Sequence, residues 1–300
     1  MQIAPKTIKQ IEGKYCVIIF NEGSIYYGDL IDNQMHGNGI LRLSCGDSYQ
    51  GDFENGLFNG NGYYTWSNGS KYLGQFLDGK LDGKGYYVNG HSFIERKKSL
   101  FSDIELFYCS WDYYSGGFKN NQPHGYGIVT DSRFDYIGYL EKGKFHGDGK
   151  LTESWTDVLD GFSAYSDNIT FGEERVGNFE NGELNGLGKQ ISFSEYESRS
   201  NEESSDVTNR KEEYNGIFFQ GKFHGWGVLY FYENEKLEKT FKGIFQDGKP
   251  TENGVMAYSD GSIYIGDYND NYLKHGNGKL INSTGHVKDG VFRDDEIIES

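Results

Sequence analysis

Proline and cysteine each occur only three times in 300 residues, and the 29 Lys and Arg are outnumbered by 45 Asp and Glu. Each shortage removes a class. Without abundant proline, the glycine-rich chain is neither collagen-like nor a polyproline linker. Cys16, Cys45 and Cys109 have no close pairing, so there is neither a disulfide framework nor metal-ligand spacing, which suits a reducing compartment. A net charge of −16 repels phosphate backbones and anionic lipid, because binding either one needs cations placed against anions. No stretch of 18 consecutive apolar residues is present, and MQIAPKTIKQIEGKY lacks the apolar run of a signal peptide. The expectation is a soluble intracellular protein.

What is abundant is glycine, 43 residues, together with 24 Tyr, 21 Phe and 4 Trp. Glycine is a poor helix former, whereas Tyr and Phe favour strands, so the mixture points to many short strands joined by tight turns. A disordered Gly-rich linker would not carry 16% aromatic residues. The glycines therefore sit among residues that pack.

A repeat organises them. YYGDLIDNQMHGNG from Tyr26, YQGDFENGLFNGNG from Tyr49 and YLGQFLDGKLDGKG from Tyr72 each begin 23 residues after the last. The pattern Y-x-G-x-(F/L)-x-(D/N)-G-x-x-(H/N/D)-G-x-G returns at Tyr114, Tyr136, Arg175, Tyr214, Phe241 and Tyr264, the last with one extra residue. Its motif positions are Tyr26, Gly28, Tyr49, Gly51, Tyr72, Gly74, Tyr114, Gly116, Tyr136, Gly138, Gly177, Tyr214, Gly216, Gly243, Tyr264 and Gly266. Alternate residues such as Tyr49, Gly51 and Phe53 share one face of a strand, so each unit reads as a β-hairpin. Glycine inside a strand weakens it unless an aromatic ring lies flat over the backbone there. Asn55-Gly56, Asp78-Gly79, Asn181-Gly182 and Asp247-Gly248, and between units Asn68-Gly69 and Asp260-Gly261, offer positive φ where the chain reverses.

These windows resemble the MORN repeat family closely, from about Tyr15 to Phe292. Arg175 and Phe241 replace the leading Tyr and Glu252 replaces a motif Gly, so those units should be the least regular. The expected fold is all-β: an elongated single antiparallel sheet of consecutive hairpins, a solenoid-like twisted rod with a groove. Nine full repeats and two half-repeats occupy 15–292, between an N-terminal tail at 1–14 and an acidic tail at 293–300. At about 4.8 Å per strand, some twenty strands would extend on the order of 95 Å. Insertions interrupt the register near 91–112, 152–174 and 194–213. The first reads as a long strand or a short helix on the sheet, the second as longer strands with a loop. The almost purely polar third reads as a mobile loop, with Ser198, Ser200, Ser204 and Ser205 beside acidic residues.

No catalytic constellation is found. The Gly-Lys pairs are not followed by Ser or Thr, the Gly-x-Gly pairs lack a third glycine and a following helix, and there is no nucleophile elbow or His-Glu-x-x-His. His36, His124, His146 and His224 precede a motif Gly, with His275 shifted by the insertion. Equivalent positions lie about 10 Å apart in successive hairpins, too far for one metal, so a turn role with the imidazole on local backbone is expected. Asp29, Asp52 and Asp267 read as a solvated edge. No cofactor, metal or catalytic residue is assigned, and the chain is read as a non-enzyme. A single sheet cannot cover both of its faces, so aromatic surface is left for a protein partner, with Tyr63, Tyr64, Trp66, Tyr86, Tyr87, Trp226 and Tyr230 as candidate contacts.

The resemblance implies a structural scaffold that binds other proteins or itself as a dimer, in a cytoplasmic, cytoskeleton-associated setting such as the cilium or axoneme, like radial-spoke-head members of the family. Two alternatives are implied as well. One is phospholipid binding or membrane tethering, which the charge opposes although Arg96, Lys97 and Lys98 form a local basic patch. The other is a regulatory array acting on an enzyme in trans. Nucleic acid is not expected as a partner.

Overall fold

The computed structural model describes residues 5–10, 16–90, 111–159, 167–199 and 205–299. These residues contain strands and turns and no helix. The twenty-two strands belong to one antiparallel sheet of consecutive hairpins, which does not close into a barrel. The chain divides into two compact units, Met1–Lys144 and Phe145–Ser300.

The first unit holds β1 (Pro5–Gln10), β2 (Cys16–Phe20), β3 (Ile25–Ile31), β4 (Gln34–Arg42), β5 (Ser48–Glu54), β6 (Leu57–Thr65), β7 (Lys71–Leu77), β8 (Lys80–Val88), β9 (Tyr113–Lys119), β10 (Gln122–Thr130) and β11 (Phe134–Glu141). The second holds β12 (Lys144–Leu159, from its second residue), β13 (Asp167–Glu180), β14 (Glu183–Arg199), β15 (Ser205–Phe219), β16 (Lys222–Glu233), β17 (Lys236–Gln246), β18 (Lys249–Tyr258), β19 (Ile263–Tyr268), β20 (Lys274–Ile281), β21 (Val287–Arg293) and β22 (Glu296–Glu299). The segments read as terminal tails thus carry β1 and β22.

The register is set by glycine opposite glycine. In the first unit Gly28, Gly39, Gly51, Gly62, Gly74, Gly85, Gly116, Gly127 and Gly138 pair successively across neighbouring strands. The second repeats the device, with Gly216 opposite Gly227 and Gly227 opposite Gly243. The motif tyrosine lies over this row: a Cβ on Gly74 would meet the Tyr72 hydroxyl at 2.5 Å and the Gly85 Cα at 2.6 Å. The ring hydroxyl then donates to the carbonyl three residues on, as Tyr49 does to Asp52 at 2.8 Å and Tyr114 to Gly117 at 2.8 Å. Phe241 keeps the platform over Gly243 and Gly254 without that bond. Arg175 does not, and its guanidinium turns instead to Glu153 and Glu173.

Phenylalanines join the platforms edge to face. Tyr49 meets Phe53 of its own strand and Phe76 of the next repeat, both with centroids 5.0 Å away. Tyr72 in turn meets Phe76 at 5.1 Å and Phe118 at 5.0 Å. A second chain of rings in Phe145–Ser300 runs Tyr214, Phe245, Phe241, Tyr268, Tyr264 and Phe292. Such contacts contribute about 0.5–1.5 kcal/mol each beyond area burial. Tyr26, Tyr49, Tyr72, Tyr114, Tyr136, Tyr214 and Tyr264 are fully buried.

Two kinds of turn alternate. Within repeats both central residues take positive φ, as in Asn55 (51°) and Gly56 (81°), which matches the twist of a two-residue hairpin. The second of them reaches back one repeat: Gly56 N–H donates to the Met35 carbonyl and Gly79 N–H to the Phe58 carbonyl. Between repeats the loop has five residues, Leu43–Asp47 and Trp66–Ser70 for example, and of the Asn68-Gly69 and Asp260-Gly261 pairs only the glycine has positive φ. Asn68 and Asp260 act through their side chains, which accept from the Ser70 and Ser262 N–H. In the first three of these loops the fifth residue is buried and staples the following loop. Ser24 Oγ accepts from Ser44 N–H, Asp47 from Ser67 N–H and the Tyr64 hydroxyl, and Ser70 Oγ from Gly90 N–H.

The insertions differ from expectation in one respect. β12 and β13 are the lengthened strands foreseen, paired as far as Leu159 and Asp167. The polar third insertion, however, is strand over its described residues, 194–199 and 205–213, because β14 and β15 stay paired to Arg199 and Ser205. Neighbours on both sides supply main-chain partners, so pairing there does not depend on apolar side chains. Lys189 with Glu213 at 2.8 Å and Lys211 4.5 Å from the Tyr232 ring centroid neutralise its charges across strands. The first insertion, apart from Trp111 and Asp112, lies outside the described residues, as do Arg96, Lys97, Lys98, Ser200 and Ser204.

Gly74→Ala should lower stability by about 3 kcal/mol or more, because its Cβ would displace ring and backbone. Gly56→Ala, with open space but φ of 81°, should cost only about 1 kcal/mol; urea unfolding of both variants measures the difference. Burial pushes the Tyr214 and Tyr264 hydroxyls up to about 12 and those of Tyr26, Tyr49, Tyr72 and Tyr114 higher still. The unfolded chain ionises at about 10, so the stability from these groups is intact below that pH and falls as the pH climbs toward 12. The share of the phenolate absorbance that comes from these buried tyrosines should therefore rise together with loss of β circular dichroism, rather than before it.

Candidate partner-binding surface

Strand alternation divides the sequence-nominated aromatics between two faces. Tyr64, Trp66 and Tyr87 point with the motif tyrosines into the core and are buried. Trp66 stacks beside Tyr64 at 4.7 Å, and the Tyr87 hydroxyl lies 3.4 Å from Ser70 Oγ. These three have no exposed ring to offer a partner. Tyr63, Tyr86 and Trp226 occupy the opposite face and are exposed, with Tyr230 half-buried there. Adjacent residues of one strand cannot share a face, which the aromatic count alone does not reveal.

In the first unit the exposed face carries a row beside the glycines in which Tyr27 pairs with Ile40, Tyr63 with Leu73, Leu73 with Tyr86 and Ile128 with Ile137. All seven are exposed. No charged residue interrupts it between β3 and β11, since Gln50 and Ser115 fill the remaining places. In the second unit the corresponding row alternates Lys150, Val176 and Lys189, then Val228, Lys242 and Val255. There the apolar side chains stand one row further along, where Leu187 pairs with Ile217 and Trp226 with Ile244.

The polar motif positions serve the backbone. Each histidine of His36, His124, His146 and His224 precedes a glycine with φ between 58° and 79°, where the strand is bulged. At His36 and His224 it is the carbonyl, rather than the imidazole, that takes a bond, accepting from the Tyr26 and Tyr214 hydroxyls. Two of the three carboxylates read as a solvated edge cap the same bulge: Asp52 accepts from Asn61 N–H and Asp267 from Asn277 N–H, both at 3.1 Å. Gln75 does so for Lys84 at 2.8 Å. Among the described residues no group of three or more His, Cys, Asp or Glu is placed to hold a metal. An open cleft of about 440 Å³ lies between Phe193, Lys211, Tyr232 and Glu235.

The extra residue in the unit at Tyr264 was visible in the sequence, but its effect was not. Asn269 folds the loop by accepting from Asn271 and Leu273 N–H. Tyr272, at φ 60°, is thereby turned onto Phe231 and Phe241, each 5.5 Å away.

A family profile described as MORN repeat matches residues 26–47, 49–71, 72–91, 114–132, 136–152, 176–193, 214–234, 241–263 and 264–287. No curated protein matches the chain. Tyr64→Ala should cost about 3–5 kcal/mol through the cavity it leaves and the loss of the buried hydrogen bond to Asp47. Tyr86→Ser and Trp226→Ala should stay within about 0.5 kcal/mol of the parent, as thermal unfolding would record.

Proposed function

The chain belongs to the MORN repeat family, and from that premise we propose a non-enzymatic scaffold that binds other proteins through the exposed face of its repeats. The observation that carries this is the row from Tyr27 to Ile137. The repeat needs its tyrosines, phenylalanines and glycines on the other face, so nothing in its folding asks for Tyr63, Leu73 and Tyr86 to stand in solvent. Contiguous apolar surface of this sort marks an interaction site. The charge of −16 favours a protein over an anionic membrane or nucleic acid. We further propose that the assembly is cytoplasmic and cytoskeletal, of the ciliary or radial-spoke kind, on the support of the family resemblance.

Cross-linking mass spectrometry in native cell extract tests the proposal. Intermolecular cross-links should come from Lys71 and Lys84, on the strands of that row, and should diminish with the Leu73→Ser, Tyr86→Ser double variant. Cross-links confined to a single chain, or unchanged in the folded double variant, would overturn it.

A further inference from the structure

Leu187, Ile217, Trp226 and Ile244 lie on β14, β15, β16 and β17, exposed to 78, 37, 56 and 52%; Leu187 pairs with Ile217 and Trp226 with Ile244, while Ile217 is opposite His224 across the β15–β16 bulge. These positions are the ones that elsewhere cap the bulge. In the first unit their equivalents are Asn38, Asp52, Asn61 and Gln75, and Asp52 and Gln75 accept a main-chain N–H. On either side of the patch the polar type returns, with Asp148 opposite Asn178 in β12 and β13 and Asp267 capping Asn277 in β19 and β20. A hydrocarbon cannot accept a hydrogen bond, so Ile217 and Ile244 forgo a folding contact that the repeat makes at those places. Tyr126 and Tyr139 fill the same positions on β10 and β11, but four consecutive strands with aliphatic or tryptophan side chains there occur at β14–β17.

The patch has a charged border. Two residues along the same strands, on the same face, stand Lys189 and Lys242. Lys189 is held by Glu213, whereas Lys242 is exposed. We propose that this surface receives an amphipathic α-helix from a partner protein, laid across the strands, with its apolar stripe on Leu187, Ile217, Trp226 and Ile244 and acidic residues on the flank facing Lys242. Spacing supports the helix. Strands are about 4.8 Å apart, and helical anchors at i, i+3, i+7 and i+10 advance by about 4.5–6 Å each, so four anchors meet four strands. Trp226 at the middle of the patch is the side chain most suited to dominate the affinity. The lysine border selects an acidic flank.

This deepens the protein-binding reading of the preceding subsection and rests on it. The test uses the full chain with 5-fluorotryptophan and three synthetic 18-residue peptides: an amphipathic helix with Leu at i, i+3, i+7 and i+10 and a Glu flank, the same helix with a Lys flank, and a scrambled Glu peptide. The Glu-flanked helix should shift the Trp226 resonance and bind best of the three. Trp226→Ala should weaken it by about tenfold or more, read by anisotropy of labelled peptide. Ile244→Ser should weaken it as well, and Lys242→Glu should reverse the preference toward the Lys-flanked helix.

Equal binding of the scrambled peptide, no binding of either helix, or an unchanged preference in folded Lys242→Glu would overturn the inference. So would a Trp226 resonance that moves with protein concentration alone, which would make the occupant a second copy, or with anionic vesicles, which would make it a membrane. If the peptides fail while cross-links through Lys71 and Lys84 to other proteins persist, the scaffold reading stands and only this inference falls.

Discussion

The contact of a tyrosine ring lying flat on glycine backbone underlies the rest of the structure. It explains why a strand-rich chain tolerates glycine opposite glycine on every strand of the motif: with any side chain there, the ring of Tyr72 or Tyr214 would have no floor. It also explains why the leading residue is tyrosine more often than phenylalanine, since the hydroxyl at the end of the ring reaches the carbonyl three residues on, at the bulge. Register, bulge and core are thereby fixed by one side chain per repeat.

Because motif tyrosines such as Tyr49, Tyr72 and Tyr214 are met by a Phe from their own repeat and by another from the next, the core is a chain of neighbours rather than a centre. The same holds at the margins, where tight turns such as those at Gly56 and Gly79 donate to the previous repeat and Ser24, Asp47 and Ser70 each bond to the loop that follows. Long-range order is built from short-range bonds. The face left over by this arrangement is free to vary, and it does: an uncharged apolar row in Met1–Lys144, an alternating lysine and valine row in Phe145–Ser300 with a four-strand apolar patch beside it.

Much of this was legible in the residues. The period, the hairpins, the Asn-Gly turns and the rings over glycine follow from spacing, because strand alternation is strict and only glycine fits beneath a ring. Of the units expected to be irregular, the one at Arg175 is, its guanidinium turning to Glu153 and Glu173, whereas Phe241 keeps the ring over Gly243 and Gly254. Other features were not. Ser194–Glu213 looked like a solvated loop by composition, yet main-chain pairing with β13 and β16 keeps most of it in strands. Asp29, Asp52 and Asp267 looked like a decorative edge, since nothing in a sequence marks which N–H a bulge turns toward a side chain. Asp47 and the Tyr64 hydroxyl are 17 residues apart and meet only through the stacking of successive loops.

The sequence by itself determined the repeat, its strands and the ring-bearing core, because each of these depends on contacts within about 25 residues and on a period of two. The tertiary structure decided which aromatics remain outside. Tyr63 and Tyr64 are neighbours of the same chemical class, and one is exposed while the other is sealed against Asp47 and Trp66. That distinction arises from the face the ring–glycine contact draws inward, and it leaves Tyr86 and Trp226 in solvent while Trp66 and Tyr87 are buried.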